Sequence, residues 1–135
     1  MALIPETDPE ILGWIGSQYD FPWLPQGWSL GNYIAENGKF YYAVYRDGFY
    51  GWVAAIRLPG TKYNVDHIHF DNLSCHDRRM NGLVLYACFR ELIDICVNGG
   101  TEVLLFTPPP GSPDLVRFLT DMKARHSGGH WFLKL

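Results

Sequence analysis

VDHIHFDNLSCHDRRMNGLVLYACFRELIDICVNGGTEVLLFT, residues 65–107, is the stretch whose reading decides the fold. Its first residues alternate with a period of two, the mark of a strand with one buried face. His67, His69 and Asp71 fall on one side of that strand, and Asp66, Ile68, Phe70 and Asn72 on the other. From Asn81 to Val97 the period becomes helical. Leu85, Cys88, Phe89, Leu92 and Cys96 form a stripe, widened by Leu83, Tyr86, Ile93 and Val97, while Arg90, Glu91 and Asp94 face water. Asn98-Gly99-Gly100 supplies residues tolerant of the left-handed conformation that ends helices. Thr101 to Phe106 then reads as a short apolar strand. Strand, helix and strand in that order imply a parallel pair joined by a right-handed crossover.

Toward the N-terminus, Thr7-Asp8-Pro9-Glu10 has the spacing of a capping box, and Ile11, Leu12, Ile15 and Tyr19 recur at helical spacing. Phe21 to Trp28 is an aromatic loop that covers the core or lines a pocket. Ser29 to Glu36 reads as a second short helix, stopped by Asn37-Gly38. Phe40 to Arg46 and Phe49 to Leu58 are strands joined by the hairpin signal Asp47-Gly48. In the second of them Tyr50, Trp52, Ala54, Ile56 and Leu58 share a face. Pro59-Gly60 turns the chain into the strand Asn64 to Leu73. Beyond Thr107, Ser112 caps a helix with Pro113 at its first position, running to about Arg125 with Leu115, Phe118, Leu119 and Met122 inward. Gly128-Gly129 breaks it, and His130 to Leu135 is one final strand. The fold class is α/β with a mixed sheet: an antiparallel meander, a βαβ crossover, then a C-terminal helix and strand. No repeat or linker divides the chain, so residues 1–135 form a single domain.

Composition narrows the function. Apolar residues make up 47% and charged ones 19%, which excludes disorder. A net charge of −3 with 11 basic residues gives no strong nucleic-acid signal. Cys88 and Cys96 read as core thiols and Cys75 as a loop thiol, as expected in a reducing compartment. No apolar run approaches the ~18 residues of a membrane span, and no signal peptide is visible, so the expected location is cytoplasmic.

The turn before the long helix carries the strongest hint of chemistry. Free N–H groups at a helix N-terminus favour an anion, Gly82 would let a phosphate approach the backbone, and Arg78 or Arg79 could add a charge-assisted contact. From the turn alone, an ordinary helix start with exposed arginines is the better reading. The element order, taken with Arg79-Met80-Asn81-Gly82-Leu83-Val84, resembles the GNAT acyltransferase superfamily and its R/Q-x-x-G-x-G/A turn. The resemblance implies acetyl-CoA as co-substrate, with its pyrophosphate held at residues 79–84 beside Arg78 and its pantetheine arm at Leu73 and Ser74. Val84 stands where Gly or Ala is usual. Leu119 stands where the family often carries a tyrosine acid, and the tail holds one strand where many relatives have two. The compact layout is also similar to acetyltransferase-like proteins of phages and prophages, which would place the chain in a host cytoplasm.

Acyl transfer to an amine needs a base and donors for the oxyanion. His67, His69 and Asp71 are the candidate catalytic groups; His67-x-His69 resembles the histidine pair of the arylalkylamine branch of that family. The expected mechanism is direct attack by a small-molecule or protein amine on the thioester, with His69 or Asp71 as base and the amide near Leu73 polarising the carbonyl. Structural histidines are the competing reading. A metal site on His67, His69 and Asp71 is a weaker one, and no metal is expected. Cys75 beside His76 invites a nucleophile reading, but a loop cysteine fits better. Tyr19, Phe21, Trp23, Trp28 and Tyr33 could wall an acceptor pocket or fill a core. The rival to an enzyme is a binding or virion-associated protein on the same fold that has lost catalysis. An edge strand leaves a homodimer possible.

Overall fold

The computed structural model describes residues 2–46, 48–71, 81–107 and 113–135. The element order is β1 (Ala2–Pro5), α1 (Pro9–Gln18), α2 (Leu30–Asn37), β2 (Gly38–Tyr45), β3 (Gly48–Arg57) and β4 (Val65–Asp71). It continues with α3 (Asn81–Asn98), β5 (Val103–Phe106), α4 (Pro113–Asp121), β6 (Arg125–Ser127) and β7 (His130–Lys134). Among the described residues seven strands form one sheet in the order β1-β2-β3-β4-β5-β7-β6. In that sheet the β4–β5 pair is parallel and the others antiparallel, with Val65 opposite Val103 and Ile68 opposite Phe106. This is the mixed α/β sheet that the strand–helix–strand stretch requires.

The alternation of the strands divides the apolar residues between two layers. On one face Val53, Ile68, Leu104, Phe106 and Leu133 pack against Phe89 and Leu92 of α3 and Leu115 and Leu119 of α4. On the other, Phe40, Trp52, Ala54 and Ile56 pack against Leu12 and Ile15 of α1, Phe21, and Leu30 and Ile34 of α2. Phe40, Phe89 and Phe106 are each at most 1% exposed. At β2 and β3 both faces are therefore removed from water, a large hydrophobic contribution to stability. The second layer draws its strand residues from β2 and β3 alone, so α1 and α2 stop short of β5 and β7.

Several local expectations are corrected. Ala2–Pro5 pairs with β2 as an edge strand that the sequence reading did not assign. The cap of α1 is Asp8, whose carboxylate accepts from the Glu10 N–H, and not Thr7. A bulge in β3 places one extra residue opposite Ala43 and Val44, so Phe49, not Tyr50, reaches Trp52 (ring centroids 5.0 Å apart). Ile11, Tyr19, Val97 and Met122 are exposed rather than inward. α4 ends at Asp121, well before Arg125. Lys123 adopts φ 61° there, and the Ala124 N–H donates to the Leu119 carbonyl at 2.9 Å, a left-handed helix stop without the usual glycine. Gly128-Gly129 (φ +58° and +81°) is consequently a hairpin turn joining β6 to β7, and the tail holds two strands, not one.

Candidate active site

β4 is paired with β3 along its whole length, to Asp71 opposite Trp52, but with β5 only as far as Ile68. His69, Phe70 and Asp71 therefore run past the end of the parallel pair, with no strand partner on the β5 side among the described residues. A cleft of about 420 Å³ opens there, lined by Trp23, His67, His69, Asp71, Thr107 and His130. The three residues of the β4 alternation share this face as expected.

Two neighbours fix them. The Trp23 indole N–H donates to Asp71 Oδ2 at 2.7 Å, and the same ring stacks on His69 with centroids 5.2 Å apart and planes 18° apart. His67 and His69 lie centroid to centroid at 4.1 Å. From β7, His130 presents its ring edge-on to His67 at 6.3 Å, while its Nδ1 is 2.8 Å from Thr107 Oγ1. The aromatic loop thus divides its work. Phe21 enters the core, Trp23 enters the cleft, and the exposed Trp28 meets Tyr33 edge-on.

Burial sets the proton affinities. Asp71 is 8% exposed, and loss of hydration raises its pKa to about 6 although the Trp23 hydrogen bond pulls the other way. Desolvation lowers His69 to about 4, helped by the neighbouring His67. His67 is lowered as well, by burial first and by His130 second. At neutral pH His67 and His69 are therefore uncharged, beside a carboxylate whose proton affinity is well above the ordinary. Among the described residues no group of three or more His, Cys, Asp or Glu side chains is placed to hold a metal ion. Among the described residues no helix is long and apolar enough to cross a membrane.

Three solved structures share this architecture. One, described as a GNAT-family acetyltransferase from Desulfovibrio desulfuricans, has a TM-score of 0.60, 14% identity and 98% coverage of both chains. The fold is that of the GNAT acetyltransferases. An IAA acetyltransferase from Bacillus cereus has a TM-score of 0.54 and 10% identity over 99% of this chain and 100% of that one. A GNAT family acetyltransferase from Elizabethkingia anophelis, solved with acetyl-CoA bound, has a TM-score of 0.51 and 13% identity over 99% and 97% of the two chains. In sequence, no family model and no curated protein matches the chain.

On the GNAT fold, the residues expected to hold the co-substrate divide between described and undescribed parts. Leu73, Ser74, Arg78, Arg79 and Met80 lie outside the described residues, as do Cys75 and His76. Asn81, Gly82, Leu83 and Val84 open α3. Leu119, at the position where the resemblance leads one to look for a tyrosine acid, is fully buried between α4 and the sheet and cannot reach the cleft. Sequence reading missed Thr107 and His130 as cleft residues. No local pattern marks them, because only the antiparallel register Phe106–Trp131 brings the start of β7 beside the end of β5.

Proposed function

We propose that this protein is an acetyl-CoA-dependent N-acetyltransferase acting on a primary amine. The single observation that carries the reading is the Trp23–Asp71–His69 cluster, placed where β4 outruns β5 on the GNAT fold. The neighbour with acetyl-CoA bound supports the choice of co-substrate. The local test of fit is the free β5 side of β4 beyond Ile68, where an extended pantetheine arm would find strand-like backbone groups without a partner among the described residues. Leu73 and Ser74 would continue that contact, and Arg78 to Val84 would hold the pyrophosphate.

The co-substrate supplies an activated acetyl group: the amine nitrogen bonds to the thioester carbon as the carbon–sulfur bond breaks. The chain's own residues manage the proton. An ammonium must lose it before attack, and the buried Asp71 and the half-buried His69 are the acceptors in the cleft. Asp71 is the stronger base of the two, and an affinity nearer to neutrality suits a general base. Trp23 holds the Asp71 carboxylate in place, and His67 and His130 extend the polar path toward water.

Calorimetric titration with acetyl-CoA tests the reading. Heat of binding and a thermal upshift are expected, and absence of both at millimolar acetyl-CoA removes it. Asp71→Asn is expected to lower kcat by about 10²-fold or more in an assay for released CoA thiol. The buried Leu119 favours a second reading, a binding protein on this fold, which would bind acetyl-CoA or a partner without releasing CoA.

A further inference from the structure

A second cavity, which shares no lining residue with the cleft, lies farther along the same side of the sheet. Leu105 lies across the β4–β5 pair from His67, and Phe132 lies across the β5–β7 pair from Leu105. That row leads onto a face of β5, β7 and β6 over which neither α1 nor α2 packs. A trough of about 580 Å³ occupies it, floored by Val103 and Phe132 and rimmed by Lys123, Arg125 and Lys134. Tyr63 forms a wall, with Lys62 Nζ 5.4 Å from the centre of its ring. Glu102 is the single acidic side chain among the described lining residues, which also include Leu135. On a chain of net charge −3, this is a local excess of positive charge beside exposed aromatic surface: Phe132 is 38% and Tyr63 50% exposed.

We propose that this trough receives an extended acidic segment of the acceptor, a polypeptide whose amine enters the cleft while its carboxylates lie among Lys123, Arg125 and Lys134. The reaction at the cleft rests on the acetyltransferase reading; the binding does not. Register fixes the spacing. Lys134 is opposite Val103, which is opposite Val65, and Asp71 lies six residues farther along β4. At the rise of a strand this is roughly 20 Å, so about four to six extended residues separate the amine from the acids. The half-apolar floor suits side chains of a peptide, and charge complementarity selects an acidic one. A second copy docked here about a two-fold axis would set this basic rim against the same rim of its partner, which is repulsive. A nucleic acid would carry its remaining phosphates over a surface of negative net charge.

The test is fluorescence anisotropy on the full chain, with and without CoA. The probes are dye-labelled Gly-Gly-Lys-Gly-Gly-Gly-Glu-Glu-Asp and the same peptide ending Gln-Gln-Asn. The acidic peptide is expected to bind at least about tenfold tighter at low salt, with the gap narrowing as salt rises. Arg125→Glu with Lys134→Glu is expected to abolish the preference. The milder Arg125→Gln with Lys123→Gln is expected to reduce it without moving the melting temperature. Equal affinities, a preference that survives charge reversal, a dimer that closes the trough in sedimentation, or displacement by a single-stranded oligonucleotide in place of the peptide would each overturn the proposal. Acetyl-CoA calorimetry on the same samples separates the two readings. Heat without acidic preference removes the trough alone, and acidic preference without heat removes the transfer reaction while supporting the trough.

Discussion

Trp23 and Asp71, 48 positions apart in the chain, are joined by an indole N–H to carboxylate hydrogen bond of 2.7 Å. The bond ties a loop before α2 to the last residue of β4, and it reaches a carboxylate that is 8% exposed. A donor to a buried charge stabilises the ionised form selectively.

Trp23→Phe keeps a ring against His69 but removes that donor. The Asp71 pKa is expected to rise above 6, followed by carboxyl carbon NMR. Stability is expected to fall by about 1–2 kcal/mol at pH 8, where the carboxylate is ionised, and by less at pH 5. An equal loss at both values would show that the indole N–H contributes only packing.

The dependence of stability on pH follows from the opposed shifts of two neighbours. Folded Asp71 keeps its proton to about pH 6, whereas its ordinary value is 3.8, so stability falls as pH rises through that window. Folded His69 gives up its proton near 4, whereas its ordinary value is 6.5, so stability rises with pH across nearly the same range. His67, also lowered, acts in the sense of His69. The contributions offset one another in the intact protein. Asp71→Asn should therefore expose a rise between pH 4 and 6.5, with a limiting slope of about 1.4 kcal/mol per pH unit from His69 and a contribution of the same sign from His67. His69→Gln should tilt the curve downward instead. Urea midpoints across this range decide the matter, and unchanged curves in both variants would contradict it.

A second buried carboxylate behaves differently. Asp66, 7% exposed, accepts from Arg57 Nε at 2.6 Å and from Thr101 Oγ1 at 2.6 Å. Removing the cation strands a buried charge, whereas removing the acid strands only a hydroxyl, since the Arg57 side chain is 42% exposed and can turn to water. Arg57→Ala is expected to cost about 2–3 kcal/mol and Asp66→Ala about 1–2 kcal/mol in urea unfolding. The reverse order would mean that the pair is held mainly for its packing.

Leu119→Tyr puts a phenol at the position where the family resemblance implies a tyrosine acid. Because Leu119 is 0% exposed and packed in the core under α4, the larger ring is expected to destabilise the protein by about 1–3 kcal/mol without raising CoA release. Higher turnover in this variant would show that α4 does address the cleft.

The helical stripe of α3 was legible because every member of it, Leu85, Cys88, Phe89, Leu92 and Cys96, is buried by one continuous sheet face. Periodicity failed where a single residue changes the phase. The bulge at Tyr50 exchanges it with Phe49, and the left-handed Lys123 ends α4 without a glycine to announce it. The edge strand β1 was illegible for a related reason: four residues are too few to show alternation, and only pairing with β2 makes them a strand.

By itself, the sequence determined the order of elements from α1 to α4, the parallel crossover and the common face of His67, His69 and Asp71, because hydrophobic period and turn chemistry are local and act wherever the chain lies. Only the tertiary structure decided that Trp23 would grip Asp71, that His130 and Thr107 would complete the cleft, and that basic residues of the β6–β7 hairpin would rim the adjoining face. Those placements depend on strand register and on where α1 and α2 cease to cover the sheet, and such long-range geometry is set by packing of the whole core rather than by neighbours in the chain.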